Sequence, residues 1–118
     1  MKHKWQFFVQ YDCLNMNFDE VKEITGDKTT LTDWLLVDVG DYIGYLEDID
    51  TVLDGKSEEE VEWGNAYKAY VRKDYTEIHS CFEEVGSPIK PCTVPTKLLR
   101  EIVKAWLDEL EKFKASRK

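Results

Sequence analysis

Residues 60–82, EVEWGNAYKAYVRKDYTEIHSCF, contain two candidate turns, and the register beside each decides which side chains enter a core. Taking Lys73-Asp74 as a two-residue link pairs Arg72 with Tyr75, Tyr70 with Glu77 and Lys68 with His79 on one face. The other face then pairs Val71 with Thr76, Ala69 with Ile78 and Tyr67 with Ser80. The first set is polar and charge-matched, the second mostly apolar, and such agreement is what fixes a hairpin's register. The Gly64-Asn65 link is less clean. A tight two-residue turn there places Val61 and Trp63 on the Tyr70 face, whereas a three-residue loop, or a bulge with Gly64 or Asn65 at positive φ, returns both to the Val71 side. Keeping apolar side chains together favours the latter. Trp63 and Tyr67 are thus expected in the core, with Glu60, Glu62 and Tyr70 at the edge of a surface.

Upstream, Leu35, Leu36, Val39, Tyr42, Ile43, Leu46, Ile49 and Leu53 recur at three- and four-residue steps. That period predicts one amphipathic helix from Leu31 to the Asp54-Gly55 stop. On its opposite side Asp41, Tyr45 and Asp48 form a row expected to face solvent. Downstream, the GSPIKP loop ends the sheet, Pro95 holds Val94 extended, and Thr96 is placed to cap a second helix. Leu98, Leu99, Ile102, Val103, Trp106, Leu107, Leu110 and Phe113 keep its period, and Lys112, Lys114, Arg117 and Lys118 suit its C-terminal dipole. At the start of the chain Trp5, Phe7, Val9 and Tyr11 alternate as in a half-buried strand. Residues 12–28 fit either a helical turn after Asn17 or an edge strand. The expected fold is α+β: a small antiparallel meander packed against two long amphipathic helices in a single two-layer domain spanning residues 1–118.

A chain of 118 residues is the usual size of one domain, and 42% hydrophobic content is enough to fold it despite 34% charged residues. No window reaches the roughly 18 apolar residues of a membrane span, and the Met-Lys-His-Lys start lacks a signal peptide's apolar stretch. A cytoplasmic protein without membrane contact is expected. Cys13, Cys81 and Cys92 cannot all pair within one chain, and no metal-ligand spacing accompanies them. They read as reduced thiols. Charge is more informative. Between Asp38 and Glu62 there are ten carboxylates against Lys56 alone, so this segment carries −9 of a net −8. Such a field attracts basic partners and repels nucleic acid, although it can also serve only to keep a protein soluble.

Residues for catalysis are scarce. His79 and Cys81 share a strand face, but neighbouring positions of that kind do not aim a thiolate at an imidazole nitrogen, and neither an oxyanion donor nor an orienting acid is evident. His3 has no histidine partner nearby. Asp48 and Asp50, or Glu58 to Glu60, lack the spacing and central glycine of a calcium loop, and the glycines are scattered singly, so no phosphate cradle forms. No catalytic residue, metal or cofactor is expected. Trp5, Trp34, Trp63 and Trp106 read as core anchors. Tyr45, Tyr70 and Tyr75 are left exposed beside acids, a mixture that protein interfaces favour.

The order DGKSEEEVEWGNAY (54–67), KDYTEIH (73–79) and CTVPTKLLREIVKAWL (92–107) resembles the immunity proteins of bacterial contact-dependent growth inhibition systems, over roughly residues 31–113. The resemblance implies a non-enzymatic cytoplasmic inhibitor that blocks the toxic C-terminal domain of its own effector, often a nuclease acting on tRNA or DNA. It transfers no contact residue. Taken with the charge distribution, the expected partner is a basic toxin domain, bound through Asp41, Tyr45, Asp48, Glu58, Glu60, Glu62 and Tyr70. The competing readings are an acidic adaptor or subunit of unrelated function and a small cysteine-dependent enzyme.

Overall fold

The Lys73-Asp74 hairpin forms in the register read from its side chains: Lys68 faces His79, Ala69 faces Ile78, Tyr70 faces Glu77 and Val71 faces Thr76. A computed structural model describes residues 6–10, 12–16, 30–80 and 92–116 of the chain. Its elements are β1 (Phe7–Gln10), β2 (Cys13–Met16), α1 (Thr30–Trp34), a π-helical turn (Leu35–Val39), α2 (Gly44–Leu53), β3 (Glu59–Trp63), β4 (Tyr67–Arg72), β5 (Tyr75–Ser80), β6 (Cys92–Pro95) and α3 (Thr96–Ala115). The expectations placed on His3, Trp5, Tyr11, residues 17–28, Cys81, the GSPIKP loop, Arg117 and Lys118 lie outside the described residues.

The architecture is α+β. Strands β3-β4-β5-β6 form an antiparallel sheet in sequence order, and β1 and β2 form a separate antiparallel hairpin. The fourth strand was not anticipated: Thr76 pairs with Val94 and Ile78 with Cys92, so the extended segment before Pro95 completes the sheet instead of only leading into a helix. Helix α2 packs on β3 and β4, while α3 packs on β5, β6 and α2 and reaches β2. Ala69, Val71, Ile78, Cys92 and Val94 on the covered face join Ile49, Val52, Leu99, Ile102, Val103 and Trp106 in one buried cluster. Burial of such side chains, at about 1.5–3 kcal/mol each, is the main favourable contribution to the fold.

The single helix expected over Leu31–Leu53 is instead broken. A π turn closes with Gly40 N–H donating to the Leu35 carbonyl at 2.9 Å, and Gly40 sits at φ +49°. The carbonyl of Gly40 accepts a 2.9 Å hydrogen bond from Trp106 Nε1, which ties the break to α3. The break rotates the helical face. Leu35, Val39 and Ile49 are buried as expected, but Leu36, Tyr42 and Ile43 are exposed and Tyr45 takes their place inside. Gly44 permits this because a Cβ there would meet the Tyr42 ring.

Helix α3 follows its sequence period, but Thr96 does not cap it. The Thr96 hydroxyl is buried, shares a 2.9 Å hydrogen bond with Thr76 and donates to the Arg72 carbonyl, so it pins the helix start to the sheet. The N-cap position is Pro95, whose side chain makes no capping bond.

Candidate functional site

The other hairpin departs from expectation, and this decides the chemistry of the surface. Trp63 faces Lys68, Val61 faces Tyr70 and Glu62 faces Ala69, so four residues, an even number, lie between the last facing pair, Trp63 and Lys68. The Asp38 carboxylate organises them. It accepts the backbone N–H of Asn65 at 2.7 Å, of Ala66 at 3.0 Å and of Tyr67 at 2.8 Å, an arrangement in which consecutive amides cradle an anion. Glycine is needed at 64 because a Cβ would collide with that same carboxyl group.

An even-numbered loop keeps the alternation that a two-residue turn would give. Val61 and Trp63 therefore point to the open face, against expectation, and Trp63 is 67% exposed with Lys68 Nζ 4.0 Å from its ring centroid. Glu60 and Glu62 take the covered face beside Val71 and Ala69, half-buried at the sheet's first strand. This is the side that the tight-turn alternative implies for them, and it turns both toward α2.

Asp48 projects from the flank of α2 that meets β3. Burial, reinforced by the Glu62 carboxylate beside it, holds the Asp48 proton so that its pKa is pushed up to about 7. Its Oδ2 is buried and finds no hydrogen-bond partner among the described residues. Two ionised carboxylates are both acceptors, so the contact with Glu62 becomes a hydrogen bond only when a proton lies between them.

Tyr45 corrects the expected surface row. It is 3% exposed, edge-on to Trp34 at 5.2 Å and to Tyr42 at 5.8 Å. Burial, with Asp38 and Glu62 nearby, pushes its hydroxyl well above the usual tyrosine range. It is a core residue and cannot anchor a partner. Asp41 is exposed but ion-paired with Lys114, whose hydrogen bond and charge lower the Asp41 pKa. Glu58 is exposed at the approach to β3, in a shallow depression that Arg72, Lys73, Tyr75 and Glu77 also line. Tyr70 is half-buried on the open face, edge-on to His79 at 5.2 Å, with Lys68 Nζ at 4.7 Å and the Arg72 guanidinium at 5.4 Å.

The ten carboxylates of Asp38–Glu62 thus divide by environment. Asp38 binds loop amides, Asp41 pairs with Lys114, Asp50 with Arg100 at 2.5 Å, and Glu59 with Arg72 at 2.7 Å. Among the described residues no cation forms an ion pair with the other six, of which Glu60 and Glu62 lie on the sheet's edge strand and Asp48 faces Glu62 from α2. Among the described residues no group of three or more His, Cys, Asp or Glu is arranged to hold a metal ion. No helix among them is long and apolar enough to cross a membrane. Compared with family models, curated proteins and solved structures, the chain gives no match.

Proposed function

We propose that the chain is an immunity-type inhibitor, which binds the basic toxin domain of a contact-dependent growth inhibition effector and blocks its action on nucleic acid. The observation that carries this reading is the sorting of the carboxylates. Four of the acidic segment's side chains are satisfied within the chain; of the six with no cation paired to them among the described residues, Glu60 and Glu62 lie on the covered face of β3 and Asp48 on α2 stands beside Glu62. Carrying like charges at one edge is unfavourable for the protein alone, and a cationic partner relieves it. A nuclease surface built to hold phosphates has that complementary charge. The exposed Val61 and Trp63 lie on the same strand, where an aromatic ring excludes water from adjacent ion pairs.

The test is co-expression with the C-terminal domain of an effector encoded beside the chain's gene, with growth as the readout. Growth is expected with the wild type and with Lys104→Glu, and loss of protection with a folded Glu60→Lys, Glu62→Lys double variant. Full protection by that double variant would remove the acidic edge from recognition.

A further inference from the structure

Strand β3 ends the order β3-β4-β5-β6, so among the described residues it is hydrogen-bonded along one side only. The Gly64 N–H donates to the Tyr67 carbonyl at 2.8 Å, which makes 64 and 67 a hydrogen-bonded pair. Pairs alternate in an antiparallel ladder, so Glu62–Ala69 and Glu60–Val71 exchange hydrogen bonds while Trp63–Lys68, Val61–Tyr70 and Glu59–Arg72 do not. The backbone N–H and C=O of Glu59, Val61 and Trp63 consequently point away from β4, toward the free edge.

The two sides of that edge differ chemically. On the helix side stand Glu60 and Glu62, with Asp48 behind them; on the open side stand Val61, 39% exposed, and Trp63, 67% exposed. The opposite edge is blunted. Strand β6 has four residues, ends in Pro95, which has no N–H, and runs directly into α3.

We infer that the partner docks by adding a strand to the free edge of β3, and that this strand alternates lysine or arginine with apolar residues. Main-chain hydrogen bonds to Glu59, Val61 and Trp63 set its position. Its cations lie beside Glu60 and Glu62, and its apolar side chains lie beside Val61 and Trp63. The same carboxylates repel a second copy of β3, so the edge that accepts a basic strand resists self-association. The inference rests on the inhibitor reading for the partner's identity, but the edge chemistry is testable without the toxin.

The probe is a nine-residue peptide alternating lysine and valine, titrated into the full chain. Binding is expected to slow amide exchange at Glu59, Val61 and Trp63. A peptide of the same composition in scrambled order should bind at least tenfold more weakly. N-methylation at the alternate residues that face β3 should weaken binding at least tenfold, and N-methylation at the other alternate residues should leave it unchanged. Val61→Pro, which removes an outward donor without touching the β3–β4 ladder, should also weaken binding at least tenfold, and Val61→Thr should not.

Failure of the alternating peptide to bind, or equal binding by all the peptides, overturns strand addition. Equal binding by all peptides together with protection from the toxin leaves the inhibitor reading standing. Strand-specific binding without protection sinks the inhibitor reading and leaves the docking edge.

Discussion

The sequence marks a turn for each of the two hairpins that share β4, yet only the β4–β5 hairpin forms as its side chains indicate. The β4–β5 link is two residues long, and cross-strand matching of Lys68 with His79 and Ala69 with Ile78 fixes its register locally. The β3–β4 link is set from a distance. Asp38, 27 residues before Asn65, supplies the acceptor for three loop amides, and cross-strand matching contains no trace of it. The lesson is that a short turn lets side-chain agreement decide the register, whereas a longer turn can be decided by whatever satisfies its backbone. Here the consequence is functional: Val61 and Trp63 go out, and Glu60 and Glu62 turn toward the helix.

The largest expected effect belongs to the locally determined hairpin. Ala69→Asp places a charge at a fully buried position opposite Ile78 and should cost about 3–5 kcal/mol in urea unfolding. Lys68→Asp, on the open face, should cost far less; the reverse order of midpoints would break the shared register.

Next comes the remotely determined hairpin. Asp38→Ala removes one carboxylate that accepts three amides and should cost about 2 kcal/mol. Amide exchange should accelerate in β3 and residues 65–67 while β4–β5 keeps its protection. Uniform loss across both hairpins would mean that Asp38 does not set the difference between them.

A smaller effect depends on pH. Folding raises the Asp48 pKa from 3.8 to about 7, so between those values the folded protein holds a proton that the unfolded chain has released. Stability from this group therefore falls as pH rises through that window and levels off above it. Asp48→Asn should stabilise the protein by about 1 kcal/mol at pH 8, a figure reduced for partial solvent access, and by little near pH 4. Asp41 and Glu77 have lowered pKa values and oppose this slope only at the acid end, so the variant must be compared with the wild type at each pH. A constant difference across the range would show that the carboxylate pair does not share a proton.

The smallest effect is Trp63→Ala. With its ring mostly in solvent, this loss should cost about 0.5 kcal/mol or less, against roughly 3–5 kcal/mol for Trp106→Ala in the core. Thermal unfolding of the two variants checks it, and a comparable loss at Trp63 would place that ring inside.

What could be read in advance follows the same division. Helix α3 is legible because the period of its buried side chains Leu99, Ile102, Val103 and Trp106 is uninterrupted. The helix before it has an equally regular pattern, but that regularity concealed the break at Gly40, which depends on a carbonyl bonded to Trp106, 66 residues away. Tyr45 reads as solvent-facing because Asp41 and Asp48 flank it at four- and three-residue spacing, whereas the break turns it onto Trp34. Among the site residues, charge density points to Glu60, Glu62 and Asp48, but setting Asp48 beside Glu62 takes both the break and the Asp38 loop. Trp63 reads as a core residue from its hydrophobicity, whereas the register puts it on the open face and Glu60 and Glu62 on the other.

The register of β3 can be measured directly through nuclear Overhauser contacts between Hα atoms across β3 and β4. Non-hydrogen-bonded pairs bring Cα atoms to about 4.5 Å and their Hα atoms closer still. Contacts are expected for Glu59–Arg72, Val61–Tyr70 and Trp63–Lys68, the register that turns Glu60 and Glu62 toward α2 and leaves Trp63 on the open face. Contacts linking Val61 to Val71 or Glu62 to Tyr70 would mean a one-residue slip that buries Val61 and Trp63, and would contradict the acidic edge itself.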